Sequence, residues 1–327
     1  MGIVAVTDKS LKQASDIIKG GGLVAIPTET VYGLACNAFD EDAVKKVFEA
    51  KGRPAVNPLI VHISAVSDIN KFSYLTPVAH KISKFFWPGP VTVILPLRDD
   101  SPIAPSCTAG LDTVAVRFPS HETARQLIQM AGVPIAAPSA NASGYMSPTS
   151  PRHVYDSLGD KVDMILAGGA CKAGLESTVI DATSDIPVIL RYGVVTKEDI
   201  EQALKCNVLD GVSETTTIKS PGQLLKHYSP NIPIRMDAID IEEGEALLAF
   251  GGTKFMGIRT GGAASDLPEN QIRNLSESGD LEEAAKNLFT YMHDLDKPEF
   301  KGIAVMNIPN QGIGLAINDR LYRASKK

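Results

Sequence analysis

The chain is poor in the features that mark several large protein classes. Its 327 residues include four cysteines and one tryptophan. Cys36, Cys107, Cys171 and Cys206 are far apart, and none has metal-ligand spacing to a histidine. That excludes a disulfide scaffold and a sequence-local zinc site. All four are expected to be reduced thiols, acting as small buried hydrophobes in a cytoplasmic protein. No window approaches the roughly 20 apolar residues of a membrane span. Met1 to Lys9 has neither the basic start nor the long apolar core of a signal peptide. Neither GxxxxGKS/T nor GxGxxG follows a strand, so there is no P-loop or dinucleotide fingerprint. Excess positive charge is lacking too. A net charge of -6 excludes coating nucleic acid by bulk charge and leaves room only for a local basic pocket with weak RNA binding. What is present is an ordinary globular composition, 44% hydrophobic and 21% charged. Such a chain can bury a core, and its length fits about two domains.

Residues 1–206 alternate strand-like and helix-like segments, which predicts an α/β class with a mixed twisted sheet. Strands are predicted at 23–26, 58–63, 91–95, 113–118, 134–137, 163–166, 178–182 and 188–192. Helices are predicted over 11–18, 43–48, 78–86, 121–130 and 197–204. The pattern breaks over 207–233. There, 213–217 is polar and aperiodic and 220–230 is bracketed by prolines, so a linker with a stiffened second half is expected. A smaller α/β unit follows over 234–327, with strands at 234–236, 246–250, 271–275 and 302–306. Its helix over 281–295 sets Leu281, Ala285, Leu288, Phe289 and Met292 on one face.

Short polar motifs close several apolar runs. In Pro27-Thr28-Glu29-Thr30, the hydroxyls either orient a small zwitterion or cap a turn after a strand. Lys51 and Arg53 flank Gly52 after a helix, and Asn57 adds an amide. Two fixed cations fit a triphosphate, Arg as a planar fork and Lys as a point charge. They equally fit a solvated basic loop at a helix C-terminus. Along 112–118, Thr113, Ala115 and Arg117 share one face and Val114, Val116 and Phe118 the other. Arg117 can grip a carboxylate bidentately or mark an edge strand with a wet face. Arg191 repeats that theme on a later strand. His62, alone, reads as a hydrogen-bonded structural histidine. Ser139-Ala140-Asn141-Ala142-Ser143-Gly144, with Ser147 and Thr149 beyond, suits close approach of a phosphate or sugar to backbone N–H groups. Ser177 opens another strand. No serine has an identifiable His/Asp partnership, so a hydrolase triad is unsupported.

Taken in order, these motifs closely resemble the YrdC-type L-threonylcarbamoyladenylate synthase family in its longer two-domain form. The resemblance rests on Pro-Thr-Glu-Thr-Val-Tyr-Gly-Leu at 27–34, Lys-Gly-Arg-Pro at 51–54 and Asn57-Pro58-Leu59-Ile60-Val61-His62. Trp87-Pro88-Gly89-Pro90, Val116-Arg117-Phe118-Pro119 and Ala137-Pro138-Ser139-Ala140-Asn141 continue it. So do Glu176-Ser177-Thr178-Val179, Leu190-Arg191-Tyr192-Gly193, Ser220-Pro221-Gly222 and His227-Tyr228-Ser229-Pro230. Nearly the whole chain is covered. The resemblance implies a YrdC-like catalytic domain over 1–206, a linker over 207–233 acting as active-site lid, and a Rossmann-like domain over 234–327. It implies synthesis of L-threonylcarbamoyl-AMP from L-threonine, bicarbonate or CO2 and ATP, with Mg2+ accompanying the ATP and pyrophosphate released. A separate transferase complex then modifies the tRNA adenosine beside the anticodon. By resemblance, Thr30, His62, Arg117 and Ser177 hold threonine. Lys51, Arg53, Asn57, Thr113, Ser139, Asn141, Ser147, Arg191 and Tyr228 hold ATP, with Lys51 and Arg53 catalytic. The alternative is an RNA-binding or regulatory protein using the same basic concave face. The net charge and the lack of an aromatic stacking platform stand against it.

Overall fold

The computed structural model describes residues 2–212, 227–254 and 256–326. The expected linker segments 213–217 and 220–226 lie outside the described residues. The first unit runs β1 (Ile3–Ala5), α1 (Asp8–Lys19), β2 (Val24–Ile26), β3 (Gly33–Asn37), α2 (Glu41–Lys51), β4 (Ile60–His62), α3 (Pro77–Phe86), β5 (Val91–Pro96), α4 (Pro105–Thr108), β6 (Thr113–Arg117), α5 (Glu122–Ala131), β7 (Ile135–Ala136), α6 (Pro151–Leu158), β8 (Met164–Ala167), β9 (Thr178–Asp181), β10 (Val188–Arg191), α7 (Lys197–Leu204) and β11 (Leu209–Asp210). Its strands form one mixed sheet in the order β1-β8-β2-β3-β7-β4-β6-β5-β9-β10-β11. The fold is the α/β class with a mixed sheet that the alternation implied. β6 is not an edge strand. It lies between β4 in parallel and β5 in antiparallel register. β11 pairs with β10, inside the stretch expected as linker. Cys36, Cys107 and Cys171 are buried, but Cys206 is exposed just past α7. That corrects the expectation that all four are core residues.

Local chemistry sets the element ends that matter for the site. The Asp40 carboxylate accepts from the N–H groups of Asp42 and Ala43 and starts α2. Gly52 ends α2 in the left-handed region at φ 61, where a side chain would be strained. On one sheet face, Val61, Val93, Val114, Val116 and Ile180 enter the main core with the buried side of α2. On the other face a small cluster of Ile60, Ile94, Ala115, Val179 and Leu190 makes an apolar floor. His62 and Arg117 sit opposite each other in register at the C-terminal ends of β4 and β6, beyond that floor. Side chains two apart on a strand share a face, so Ile60 places His62, and Ala115 places Arg117, above it.

The second unit runs β12 (Ile234–Arg235), β13 (Asp240–Ile241), β14 (Glu245–Ala249), β15 (Gly257–Ile258), β16 (Ile272–Asn274), α8 (Leu281–Leu295), β17 (Gly302–Val305) and α9 (Ile313–Ser325). Its main sheet is all parallel, in the order β12-β17-β14-β16. The Asp280 side chain accepts from the Glu283 N–H and starts α8. The buried face of α8 (Ala285, Leu288, Phe289, Met292) joins Ile317 and Leu321 of α9 in one cluster. Val31, Met146 and Leu175 of the first unit belong to the same cluster, as does Tyr228. The two units therefore share a core. Gly174, at φ 71, lies so close to α8 that a Cβ would sit 2.3 Å from the Lys286 carbonyl oxygen.

Polar contacts reinforce that junction. Thr149 Oγ1 meets Thr290 Oγ1 at 2.9 Å, and Tyr145 donates its hydroxyl to Asp296 at 2.6 Å. The rings of His153 and His293 stack with centroids 4.0 Å apart. Burial, then the neighbouring His293, pulls His153 down to about 4. Burial lowers His293 as well, against the pull of Asp294 and Asp156. An unfolded histidine titrates near 6.5, and each unit of difference is worth about 1.4 kcal/mol. The unfolded chain thus binds more protons between these values. The pair's contribution is complete above pH ~6.5 and is lost as pH falls toward the folded values. Melting temperature is expected to drop from pH 7 to pH 5, and to drop less in a His153→Gln variant. Equal slopes would remove this pair as the cause.

Candidate active site

Sixteen residues line one pocket on the floored face of the first sheet. One end is built by the turn after β2. The Thr28 hydroxyl accepts from the N–H groups of Thr30 and Val31 and donates to the Val31 carbonyl at 2.6 Å. This self-bonded turn holds Thr30 against Arg117, whose Nη1 donates to Thr30 Oγ1 at 2.8 Å. Arg117 Nη2 lies 2.7 Å from Glu29 Oε1. Burial opposes the charge of Glu29, but Arg117 outweighs it and holds the carboxyl below its usual range. Burial, then the charge of Arg117, presses His62 down to about 3. His62 is therefore neutral at physiological pH.

The other end is cationic. Arg191, at the end of β10, donates to the Ser177 carbonyl at 2.9 Å and to the Ser177 hydroxyl at 3.0 Å. Ser177 Oγ in turn meets Thr92 Oγ1 at 2.7 Å. Gly193 permits this: a Cβ there would lie 2.4 Å from the Thr178 nitrogen. Arg53 donates to the carbonyls of Asn57 and Pro58 at 3.0 and 2.9 Å. Burial pulls Arg53 down to about 9, so it remains charged at neutral pH. Lys51 is buried and donates to the carbonyls of Ser139 and Asn141 at 2.6 and 2.5 Å. Burial, then the charge of Arg53, lowers its pKa well below the ordinary value. Lys51 and Arg53 are buried cations with no carboxylate paired to them among the described residues, a costly arrangement that a bound polyanion offsets.

The structure brings Thr30, His62, Arg117, Ser177, Arg53, Ser139, Arg191 and Tyr228 to the wall of one chamber. Lys51, Asn57, Thr113, Asn141 and Ser147 are not among the bordering residues. Lys51 holds the 139–141 loop through the carbonyls of Ser139 and Asn141. Asn57 and Asn141 are buried, and the Asn57 amide and Asn141 Oδ1 lack hydrogen-bond partners among the described residues. The Ser147 hydroxyl donates to Glu176 Oε1. Thr113 lies at the opposite end of β6 from Arg117 and is only half-buried. The chamber also holds Thr28, whose hydroxyl caps its turn as one of the two sequence readings had it, and two residues the sequence reading gave no role, Glu176 and His227. Glu29 belongs with them through Arg117. Glu29 and His227 stand inside motifs already singled out, and that was their only signal.

A family model described as telomere recombination, covering Sua5, YciO and YrdC proteins, matches residues 16–193. A second, described as threonylcarbamoyl-AMP synthase, C-terminal domain, matches residues 195–326. The threonylcarbamoyl-AMP synthase of Bacillus subtilis strain 168 is 39% identical over 98% of this chain and 94% of its own length. The chain belongs to the threonylcarbamoyl-AMP synthase family. The Pyrococcus abyssi synthase is 40% identical over 98% of this chain and 95% of its own. The crystal structure of P. abyssi Sua5 complexed with L-threonine superposes with a TM-score of 0.88, at 36% identity, over 99% of this chain and 98% of that one. Both domains of the two-domain synthase form are therefore present. Among the described residues, no helix is long and apolar enough to cross a membrane.

Proposed function

We propose that the enzyme joins L-threonine, CO2 or bicarbonate, and ATP into L-threonylcarbamoyl-AMP, releasing pyrophosphate. The observation that carries this reading is one continuous chamber. Thr30, His62 and Arg117 border one part of it, and Arg53, Ser139 and Arg191 another. Likeness to a chain crystallised with L-threonine supports the first part. In this reading Arg117 takes the threonine carboxylate, with Thr30, Ser177 and neutral His62 around the rest of the molecule. Lys51, Arg53, Asn57, Thr113, Ser139, Asn141, Ser147, Arg191 and Tyr228 form the ATP side.

The chemistry then needs position more than covalent help. The threonine amine adds to CO2, forming the N–C bond and losing a proton. A carbamate oxygen attacks the α-phosphorus, the bond to the bridging oxygen breaks, and pyrophosphate leaves. Lys51, Arg53 and Arg191 offset the negative charge that grows on the phosphates. Mg2+ enters on the ATP as part of the substrate, supplying further charge neutralisation. The donor set fits that role. No cluster of three His, Cys, Asp or Glu occurs among the described residues, and Glu29 and Glu176 are each held by an arginine. Phosphate oxygens and water would supply most of the ion's ligands. A carbamate hydrolyses in water, so a lid helps. Of the stretch expected to act as lid, 207–233, the described residues His227 and Tyr228 border the chamber. The product is a reactive mixed anhydride, consumed in the cytoplasm by a transferase complex acting on tRNA.

Pyrophosphate release from ATP tests this reading, with Mg2+ and bicarbonate present and L-threonine, L-serine or no amino acid added. Threonine-dependent release with a threonylcarbamoyl-AMP mass is expected. Release indifferent to threonine would assign the chamber to another ligand.

A further inference from the structure

Arg320, on α9 of the second unit, has no exposed surface. Yet its partners lie mostly in the first unit. Its Nε donates to Glu176 Oε2 at 3.0 Å, and Nη2 donates to the Tyr192 carbonyl at 2.8 Å. Its guanidinium carbon stands 5.4 Å from the centre of the Tyr228 ring, within cation–π range. Asp319 fixes the remaining side: Arg320 Nη1 donates to it at 2.9 Å, and Arg323 donates to its other oxygen at 2.8 Å. Glu176, so held, also accepts from the Ser147 hydroxyl and borders the chamber beside Arg53, Arg191 and Tyr228.

The placement has an electrostatic consequence. A carboxylate in the wall of a chamber that receives ATP repels the phosphates at short range and low dielectric. Glu176 is kept from that role chiefly by the cation from the other unit that pairs with it, with Arg191 the lesser electrostatic influence. Tyr228 is held at φ 64, a backbone region rare for a bulky side chain. Its ring rests against Phe289 of α8, at 5.5 Å, as well as against Arg320. The second unit thus touches the chamber through one neutralised carboxylate and one seated ring.

We propose that Arg320 is the positioning residue through which the second unit completes the nucleotide side of the site: it neutralises and orients Glu176 and seats the Tyr228 ring, and so controls ATP binding. This inference rests on the ATP reading above. An ordinary interdomain ion pair predicts something different. Losing one would lower the melting temperature while leaving ATP and threonine equally well bound.

The test uses the full-length chain. Mg-ATP affinity is read by calorimetric titration, and the KM for each substrate by pyrophosphate release. Arg320→Met leaves a buried carboxylate facing ATP, and the ATP Kd is expected to rise by at least about 30-fold. The KM for threonine is expected to stay within about threefold. The double variant Glu176→Gln with Arg320→Met removes the stranded charge and is expected to recover most of the ATP affinity. If Arg320→Met does not fold, Arg320→Lys tests orientation apart from charge: lysine keeps a cation facing Glu176 but not the planar fork, so a smaller rise in the ATP Kd, again with threonine spared, is expected. ATP weakened with threonine spared supports the inference in either variant. Both unchanged, or both weakened together, overturns it. Wild-type protein that binds no ATP would sink the substrate reading and this inference with it. Wild-type binding shared equally by the variants would sink the role of Arg320 alone.

Discussion

Lys51→Ala is expected to slow pyrophosphate release by about a hundredfold to a thousandfold at saturating substrates, the range seen when one preorganised charge or donor is removed from a reacting centre. The protein should remain folded. Lys51 is the last residue of α2, and that helix keeps both its Asp40 cap and its Gly52 terminus without it. The ammonium nitrogen bridges the carbonyls of Ser139 and Asn141, which uses two of its three N–H groups. No carboxylate pairs with it among the described residues. Burial and Arg53 both disfavour its charge. A charge held against those forces is most strongly compensated by an anion arriving beside it. Truncation removes that charge and also releases the 139–141 loop, whose two carbonyls then go unmet at a stability cost of about 1–3 kcal/mol each. Melting temperature and circular dichroism separate the two effects. Wild-type turnover in a folded variant would take Lys51 out of the mechanism.

The sequence shows much of this site because its polar residues sit where strands end. His62, Arg117 and Arg191 each close a short apolar run, and the structure finds each at a strand terminus. The helix over 281–295 is also plain, since Leu288, Phe289 and Met292 repeat at helical spacing and Asp280 caps it. Other parts were hidden for physical reasons. β3 begins at Gly33 and is buried almost throughout, so it shows no alternation. α9 has Gly312 before it and no side-chain cap, so nothing marks its start and Arg320 was never placed on a helix. α6 did have a start signal, Ser150 before Pro151, but only Val154 and Leu158 are buried along it. The pair Lys51 and Arg53 would share a direction on an extended backbone. Gly52 instead turns left-handed, sending Lys51 to the 139–141 carbonyls and Arg53 to those of Asn57 and Pro58. Partnerships such as Arg117 with Glu29, or Arg320 with Glu176, join residues 88 and 144 positions apart. No local pattern encodes them.

The Arg117 pairing makes the second large prediction a comparison of variants. Arg117 holds Thr30 through one nitrogen and Glu29 through another. Arg117→Lys keeps a cation but cannot serve both while gripping a carboxylate with a planar fork. The KM for threonine is expected to rise about 10- to 100-fold, the worth of a charge-assisted bidentate contact, with the KM for ATP little changed. Arg117→Ala goes further, since it strands Glu29 as an unpaired buried carboxylate. That loss costs about 3–5 kcal/mol of stability, readable as a lower denaturation midpoint at neutral pH. Adding Glu29→Gln to Arg117→Ala removes the stranded charge, so it should restore much of the midpoint while leaving threonine binding impaired. The two losses would then have separate causes: Glu29 sets the stability of the buried pair, and Arg117 sets the affinity for the amino acid. Recovery of threonine binding in that double variant would show instead that Arg117 only shields Glu29, and that the carboxylate of threonine is held elsewhere in the chamber.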